Sequence, residues 1–376
     1  MKHNTFESLQ HGAKNFIKNM KGKKPHTFRY SYGCPETMVA SALAASISGL
    51  LDILPDRNQQ KAWAIYLNSF QQEDGWFFDK EIDEVTYPDA IYRWGRMCHR
   101  TRHSLWALSA LNASSRYRLT FLDSFRDASV FQNFLHTIQK KASNSFWGAG
   151  NWLMDLGILL TWEYSSSQEE IFAKRMSDLF DWLDSLQDPT TGFWWKNPTD
   201  LREAMAGAMH LYPLYWAWHR PLHYEKEIAQ STLALQQSDG LFDYKIGIGG
   251  GQCLDFDAVN ILSNLYWKGF FQEEILLAMR KVEKAILINR NSDGGFSYQR
   301  TEDKFTFGTP ATSFISHTSA MWESYARLLT IGMTSAIIPD SPFSGPWKFD
   351  HNIFELRNGG KGWKQGRYCT FPSEEE

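Results

Sequence analysis

Two kinds of apolar pattern alternate along the chain. The first is amphipathic, with charges on one side: Phe6–Met20, Arg57–Phe70, Leu122–Gln139, Gln168–Gln187, Tyr224–Gln237 and Glu273–Asn289. The second is apolar nearly all round and rich in small residues: Thr37–Ile53, Ser104–Asn112, Trp152–Trp162, Glu203–Trp218, Asp257–Trp267 and Thr318–Ile331. A helix with a polar face is half exposed, and one without is buried on all sides. Outer helices alternating with inner ones predict an all-α fold, an (α/α)6 toroid over residues 1–338. An open solenoid of helical hairpins is the alternative. Neither end reads as a polar cap repeat, which favours closure. Residues 339–376 lose the helical period and are rich in Gly, Pro and Trp. They are expected to pack on the toroid as an irregular tail.

A turn recurs between the two kinds of helix. Its copies are Gln71–Phe77, Gln187–Phe193, Gln236–Phe242 and Asn291–Phe296, with a degenerate version over Gln139–Trp147. Each has a polar start, a Gly and an aromatic. Spacing of roughly 50–70 residues marks a repeat architecture. The Gly supplies a positive φ that ends the outer helix. The Gln can bond backbone groups left open at helix ends. This turn is read as structural and carries no chemistry.

Composition narrows the partners. A net charge of −3 argues against nucleic acid. Lys18, Lys21, Lys23 and Lys24 read as a solvated face, with peripheral membrane contact left open. The run Met38–Leu54 carries three serines and Asp52 and ends before Pro55, so it reads as a buried core helix rather than a membrane span. Cys34, Cys98, Cys253 and Cys369 form no CxxC pair, and no leader-like segment opens the chain. Free thiols in a reducing cytoplasm are expected. Aromatics make up 15% of the chain, with 16 Trp. Aromatic-lined cavities suit carbocations and also the faces of sugar rings.

The candidate chemistry lies where the inner helices are expected to start. Glu36-Thr37, His103-Ser104, Glu203-Ala204, Asp257-Ala258 and His317-Thr318 each place an ionisable group before a small residue, and the remaining repeat offers Asn151 and Asp155. Parallel inner helices would gather these groups at one mouth, a convergent polar set in an apolar cavity. For Glu36 and Glu203 the helix macrodipole explains an acid just as well. For His103 and His317 it does not; a helix start would hold them neutral. The densest segment is Gly249–Ala258, where Cys253, Asp255 and Asp257 alternate behind three glycines. Two carboxylates this close raise one pKa, and a raised carboxylic acid is suited to donating a proton.

The repeated turns on paired helices resemble those of the terpenoid cyclase and protein prenyltransferase toroids, over residues 1 to about 335. Two implications follow at the same segment. Class II terpene cyclases of the squalene–hopene type use Asp-x-Asp-Asp, whose middle Asp protonates an alkene or epoxide. Asp255-Phe256-Asp257-Ala258 matches its first two acids and has Ala258 in place of the third. The resemblance then implies Asp257 as proton donor, Asp255 as its tuner, and no cofactor. Prenyltransferase β subunits hold zinc through Asp-x-Cys and a later His-Thr. Cys253 and His317-Thr318 match in type and order, the Asp position falls on Gly251, and Asp255 is the substitute ligand.

The primary expectation is therefore an enzyme that cyclises a polyprenyl-type, apolar small molecule by acid initiation at Asp257. A zinc-dependent prenyltransferase-like enzyme is one alternative. A glycan-processing hydrolase, lyase or epimerase using Glu36, Glu203, His103 and His317 is another. A non-catalytic binding toroid is the third. No Asp-Asp-x-x-Asp, Walker A, GxSxG or HExxH sequence occurs. Protonation is thus preferred over diphosphate ionisation.

Overall fold

The computed structural model describes residues 5–83, 87–142, 146–195 and 198–349. Residues 350–376 of the expected tail, Cys369 with them, and the middle of the Gln139–Trp147 turn lie outside the described residues. In chain order the first helices are α1 (Phe6–Met20), α2 (Met38–Leu50), α3 (Arg57–Asn68), the one-turn α4 (Lys80–Asp83) and α5 (Ala90–Ala110). Then come α6 (Ala128–Ala142), α7 (Phe146–Ser167), α8 (Glu170–Leu186), α9 (Leu201–Met209) and its continuation α10 (Tyr212–Ala217). The last are α11 (Glu225–Leu233), α12 (Gln252–Trp267), α13 (Gln272–Ile286) and α14 (Met321–Ile337). Two small antiparallel pairs accompany them. Strand β1 (Phe28–Arg29) pairs with β2 (Glu36–Thr37), and β3 (Lys304–Thr306) with β4 (Ser313–Ile315).

The inner ring runs α2, α5, α7, α9, α12, α14, each packed on the next, and α14 packs back on α2. The fold is a closed α/α toroid. Every residue of α2 is buried, which its composition of Ala, Ser, Gly and aliphatic residues allows. Small residues let the inner helices approach closely. A Cβ on Gly150 of α7 would lie 2.3 Å from the Gly207 carbonyl oxygen of α9. The outer helices α1, α3, α6, α8, α11 and α13 bury one face only, as α1 does through Phe6, Leu9, Ala13, Phe16 and Met20. None of the described helices is long and apolar enough to cross a membrane.

The repeated turns fasten neighbouring hairpins. Gly75, Gly192, Gly240 and Gly294 all have positive φ, and Phe77, Phe193, Phe242 and Phe296 are fully buried. Gln71 donates to the Tyr117 carbonyl, Gln187 to that of His223, and Gln236 to that of Ala278, each in the following repeat. The last turn closes the circle. Gly294 (φ +90°) lies against the backbone of Gly12 in α1, where an added Cβ would come 2.2 Å from the Gly12 oxygen. Arg290 reaches the same helix through the Ser8 carbonyl. Gly294→Ala therefore combines a left-handed φ with a clash against rigid backbone. It should cost at least about 2 kcal/mol, read as a lowered urea midpoint with an unchanged slope.

One boundary differs from the sequence reading in a way that matters. The inner segment expected at Ser104–Asn112 is only the second half of α5, which begins at Ala90. The first half carries Arg93, Arg96, His99, Arg100, Arg102 and His103, so it does not look apolar. Arg100, Arg102 and His103 are nevertheless buried. Described residues of the tail sit at the far end of the toroid, where Lys348 N–H donates to the Leu50 carbonyl and Trp347 and Phe349 lie over Gly332.

Candidate active site

A cavity of about 260 Å³ opens at the end of the ring where α12 and α14 begin. Its floor is built by the first turns of these helices, with Cys253, Phe256 and Asp257 from α12 and Trp322 from α14. One wall is α7, supplying Trp147, Asn151, Trp152, Met154 and Asp155. The opposite wall is the first half of α5, with Tyr92, Arg96, His99 and Arg102, and Met209 and His210 complete it at the α9–α10 junction. The loop between β3 and β4 folds over the mouth. Its Phe307 stacks on Tyr30 and Trp322, at ring-centroid distances of 5.1 and 5.9 Å.

Asp257 is fully buried, and neither carboxyl oxygen has a hydrogen-bond partner among the described residues. Burial, and secondarily the charge of Asp255, push its pKa well above the usual carboxylate range. Ionisation of this acid is therefore disfavoured in the folded chain. Asp255, two residues earlier, points the other way. It accepts from the Phe242 N–H (2.8 Å) and from Arg327 Nη1 (2.6 Å), and both partners of that ion pair are fully buried. Burial raises Asp255 to about 6 against the pull of Arg327.

The polar wall is a linked set. Arg102 donates through Nε to Asp155 (2.5 Å) and through Nη2 to His99 Nδ1 (2.6 Å), while its Cζ lies 4.3 Å from the centroid of the Trp106 ring. An arginine only donates, so the His99 proton resides on Nε2. Burial lifts Asp155 to about 6, opposed by Arg102. His210 Nδ1 lies 2.5 Å from the Ala206 carbonyl. A carbonyl only accepts, so Nδ1 carries the proton and Nε2 keeps its lone pair. Burial pushes His210 down to about 3 and His99 well below its ordinary value, so both are neutral at pH 7.

The other sequence candidates are spread out. His103 lies deep inside α5 rather than at a helix start, packed edge-on against His99, Trp106 and Trp322 behind the cavity wall. Burial, not a helix terminus, holds it neutral. Glu36 lies on β2 and accepts from the Lys23 N–H (2.7 Å), tying down the preceding loop. Glu203 occupies the first turn of α9, after the capping Asp200. His317 precedes α14, half-exposed beside the Thr301 carbonyl and Glu302. None of these four lines the cavity.

The zinc set does not fit. Asp255 is committed to Arg327 and Phe242, and His317 to Thr301 and Glu302. Among the described residues no three His, Cys, Asp or Glu side chains come together as metal ligands. Cys253 accepts from Trp322 Nε1 and Gln252 Nε2, both at 3.3 Å. Burial, then the nearby Asp257, push its thiol well up. Alkylation of Cys253 by iodoacetamide at pH 8 should run at least about tenfold slower than that of a free thiol, as followed by peptide mass spectrometry.

Sequence reasoning missed Arg96, His99, Arg102 and His210. A signal was present for three of them: polar residues at 96, 99, 102 and 103 fall on one helical face. The cationic residues hid that face because buried charges break the apolar pattern.

A closed ring of paired inner and outer helices defines the architectural class. Solved structures sharing it include the type II terpene cyclase MstE from Scytonema in its apo form. The match has 10% identity, covers 89% of this chain and 98% of that one, and has a TM-score of 0.50. A variant of the same cyclase in complex with merosterolic acid A matches at 10% identity, 89% and 98% coverage and a TM-score of 0.51. A glycosyl hydrolase family 88 protein from Bacteroides vulgatus matches at 11% identity, 87% and 98% coverage and a TM-score of 0.49. At these identities the likeness concerns the fold. No protein-family model matches the sequence, and no curated protein is significantly similar to it.

Proposed function

We propose that the chain is an acid-initiated cyclase of a short, linear isoprenoid, with Asp257 as the proton donor. The observation that carries this reading is the Asp257 carboxyl: fully buried, without a hydrogen-bond partner among the described residues, pushed up in pKa, and on a cavity lined by Trp147, Trp152, Phe256, Phe307 and Trp322. The Asp257 O–H bond breaks as a C–H bond forms at a terminal alkene, leaving a tertiary carbocation and an aspartate. The faces of the indole and phenyl rings stabilise such a cation. Ring closure consumes further alkenes, and loss of a proton from carbon ends the sequence. His210 Nε2, which keeps its lone pair and has no hydrogen-bond partner among the described residues, is the base assigned to that loss. Product and substrate are then isomers, and no cofactor is consumed. The cavity volume lies just below the common range of about 300–1,000 Å³ for ligand sites, which favours a short chain over a long one.

The test is incubation in deuterated water with linear isoprenoid alcohols, acids and diphosphates, followed by mass spectrometry. A cyclic isomer carrying one added deuteron is expected. Absence of any such isomer across the set would sink the cyclase. The polar wall of Arg96, His99, Arg102 and Asp155 favours a second reading, processing of an acidic glycan. New reducing ends from an oligouronide would support it.

A further inference from the structure

Among the described residues the cavity carries one more positive charge than it neutralises. Asp155 is ionised at neutral pH and held by Arg102. His99 and His210 are neutral, and burial disfavours the ionised form of Asp257. That leaves Arg96. Among the described residues its guanidinium forms no ion pair or hydrogen bond, and its Nε is buried without a partner. Arg102, 1% exposed, also leaves Nη1 without a partner among the described residues. Two donors on adjacent turns of α5 thus stand on one wall with a single carboxylate between them. Leaving a guanidinium unpaired in a cavity is unfavourable. An arginine offers a planar fork of donors matched to carboxylate and phosphate oxygens.

From this we infer that Arg96, backed by Arg102, is a subsite for an anionic head group, so that the substrate is an amphiphile with an acidic end. The isoprenoid identity of its apolar part rests on the reading above; the anion site does not. The arrangement is also chemically coherent with that reading. The anion pairs with Arg96 on the α5 wall, which places the apolar tail against Asp257 and the aromatic residues. The paired head group cancels the charge that would otherwise oppose a carbocation in the same cavity. Carboxylate and diphosphate share the recognising chemistry, and the probes separate them.

Binding of farnesol, farnesoate, farnesyl diphosphate and glucuronate would be measured by calorimetry for wild type, Arg96→Gln, Arg96→Lys and Asp257→Asn. Either farnesyl anion, or both, should bind at least about tenfold more tightly than farnesol. The preference should vanish in R96Q, persist in part in R96K, and survive in D257N. The stronger of the two anions identifies the head group. Glucuronate bound in an Arg96-dependent way, with no farnesyl compound bound, would uphold the anion site and remove the isoprenoid. Equal binding of farnesol and the anions, a preference unchanged in R96Q, or no binding of any anion would overturn the subsite. Thermal melting of R96Q checks folding; if it is lowered, the comparison of R96K with wild type carries the test.

Discussion

Asp257→Asn should reduce cyclisation by about 10²–10⁴-fold or more, the range for loss of a positioned general acid, while raising thermal stability at neutral pH. The two effects have one cause. A carboxyl group buried without a partner is poorly placed to ionise, so its folded pKa lies far above the unfolded value of about 3.9. Below that unfolded value both states hold the proton, and Asp257 makes no pH-dependent contribution. Above it the unfolded chain releases the proton and the folded chain does not. Folding is then opposed by about 1.4 kcal/mol per pH unit until the folded pKa is reached. Asparagine has the same shape and no titration. The stability difference between the variant and the wild type should therefore widen from pH 5 upward. Urea unfolding at a series of pH values measures it. A variant that turns over normally removes the proton-donor role. A pH-independent stability difference would show that Asp257 is not held protonated.

Arg327→Met should have the largest effect on stability, a loss of about 3–5 kcal/mol. Arg327 is fully buried and holds three separate segments through its guanidinium: Asp255 at 2.6 Å, and the Gly249 and Tyr298 carbonyls, both at 2.9 Å. Removing it leaves Asp255 as an uncompensated buried charge. Asp255 sits at about 6 with Arg327 beside it, so its pKa should rise further in the variant. The stability gap should be smallest below about pH 6, where Asp255 is protonated in both proteins, and should widen by up to about 1.4 kcal/mol per pH unit above it until the raised pKa of the variant is passed. Adding Asp255→Leu should recover part of the loss, since both charges are gone. Recovery stays partial because the Phe242 N–H loses its acceptor. Chemical denaturation of the single and double variants reads both effects. A single variant within 1 kcal/mol of wild type would mean that the pair is not the clamp of the α12–α14 corner.

These two aspartates lie two residues apart and do different work. On a helix, positions two apart point to well-separated directions. Asp257 faces the cavity, and Asp255 faces the Gly249–Gly251 loop and α14. The alternation of acids was visible in the sequence, but which acid met a cation depended on Arg327, 72 residues further along the chain.

The sequence by itself determined the architecture. Helical periodicity, the contrast between one-faced and all-round apolar segments, and the Gly-aromatic turns are local signals. Each is set by backbone geometry and burial within one repeat, and the repeats add up to a ring. The segment holding Asp257 and Cys253 was legible for the same reason, since glycines, acids and a following buried helix lie together in the chain. The tertiary structure alone decided which groups share the cavity. Glu36, Glu203, His103 and His317 occupy similar sequence positions, yet α5 begins well before His103 and α14 begins after His317. Arg96, His99 and Arg102 drew no attention in the sequence, and Asp155 meets Arg102 from another helix. Charge pairing between distant segments leaves little trace in a local apolar pattern, because a buried paired arginine and an exposed one read alike until the partner is in place.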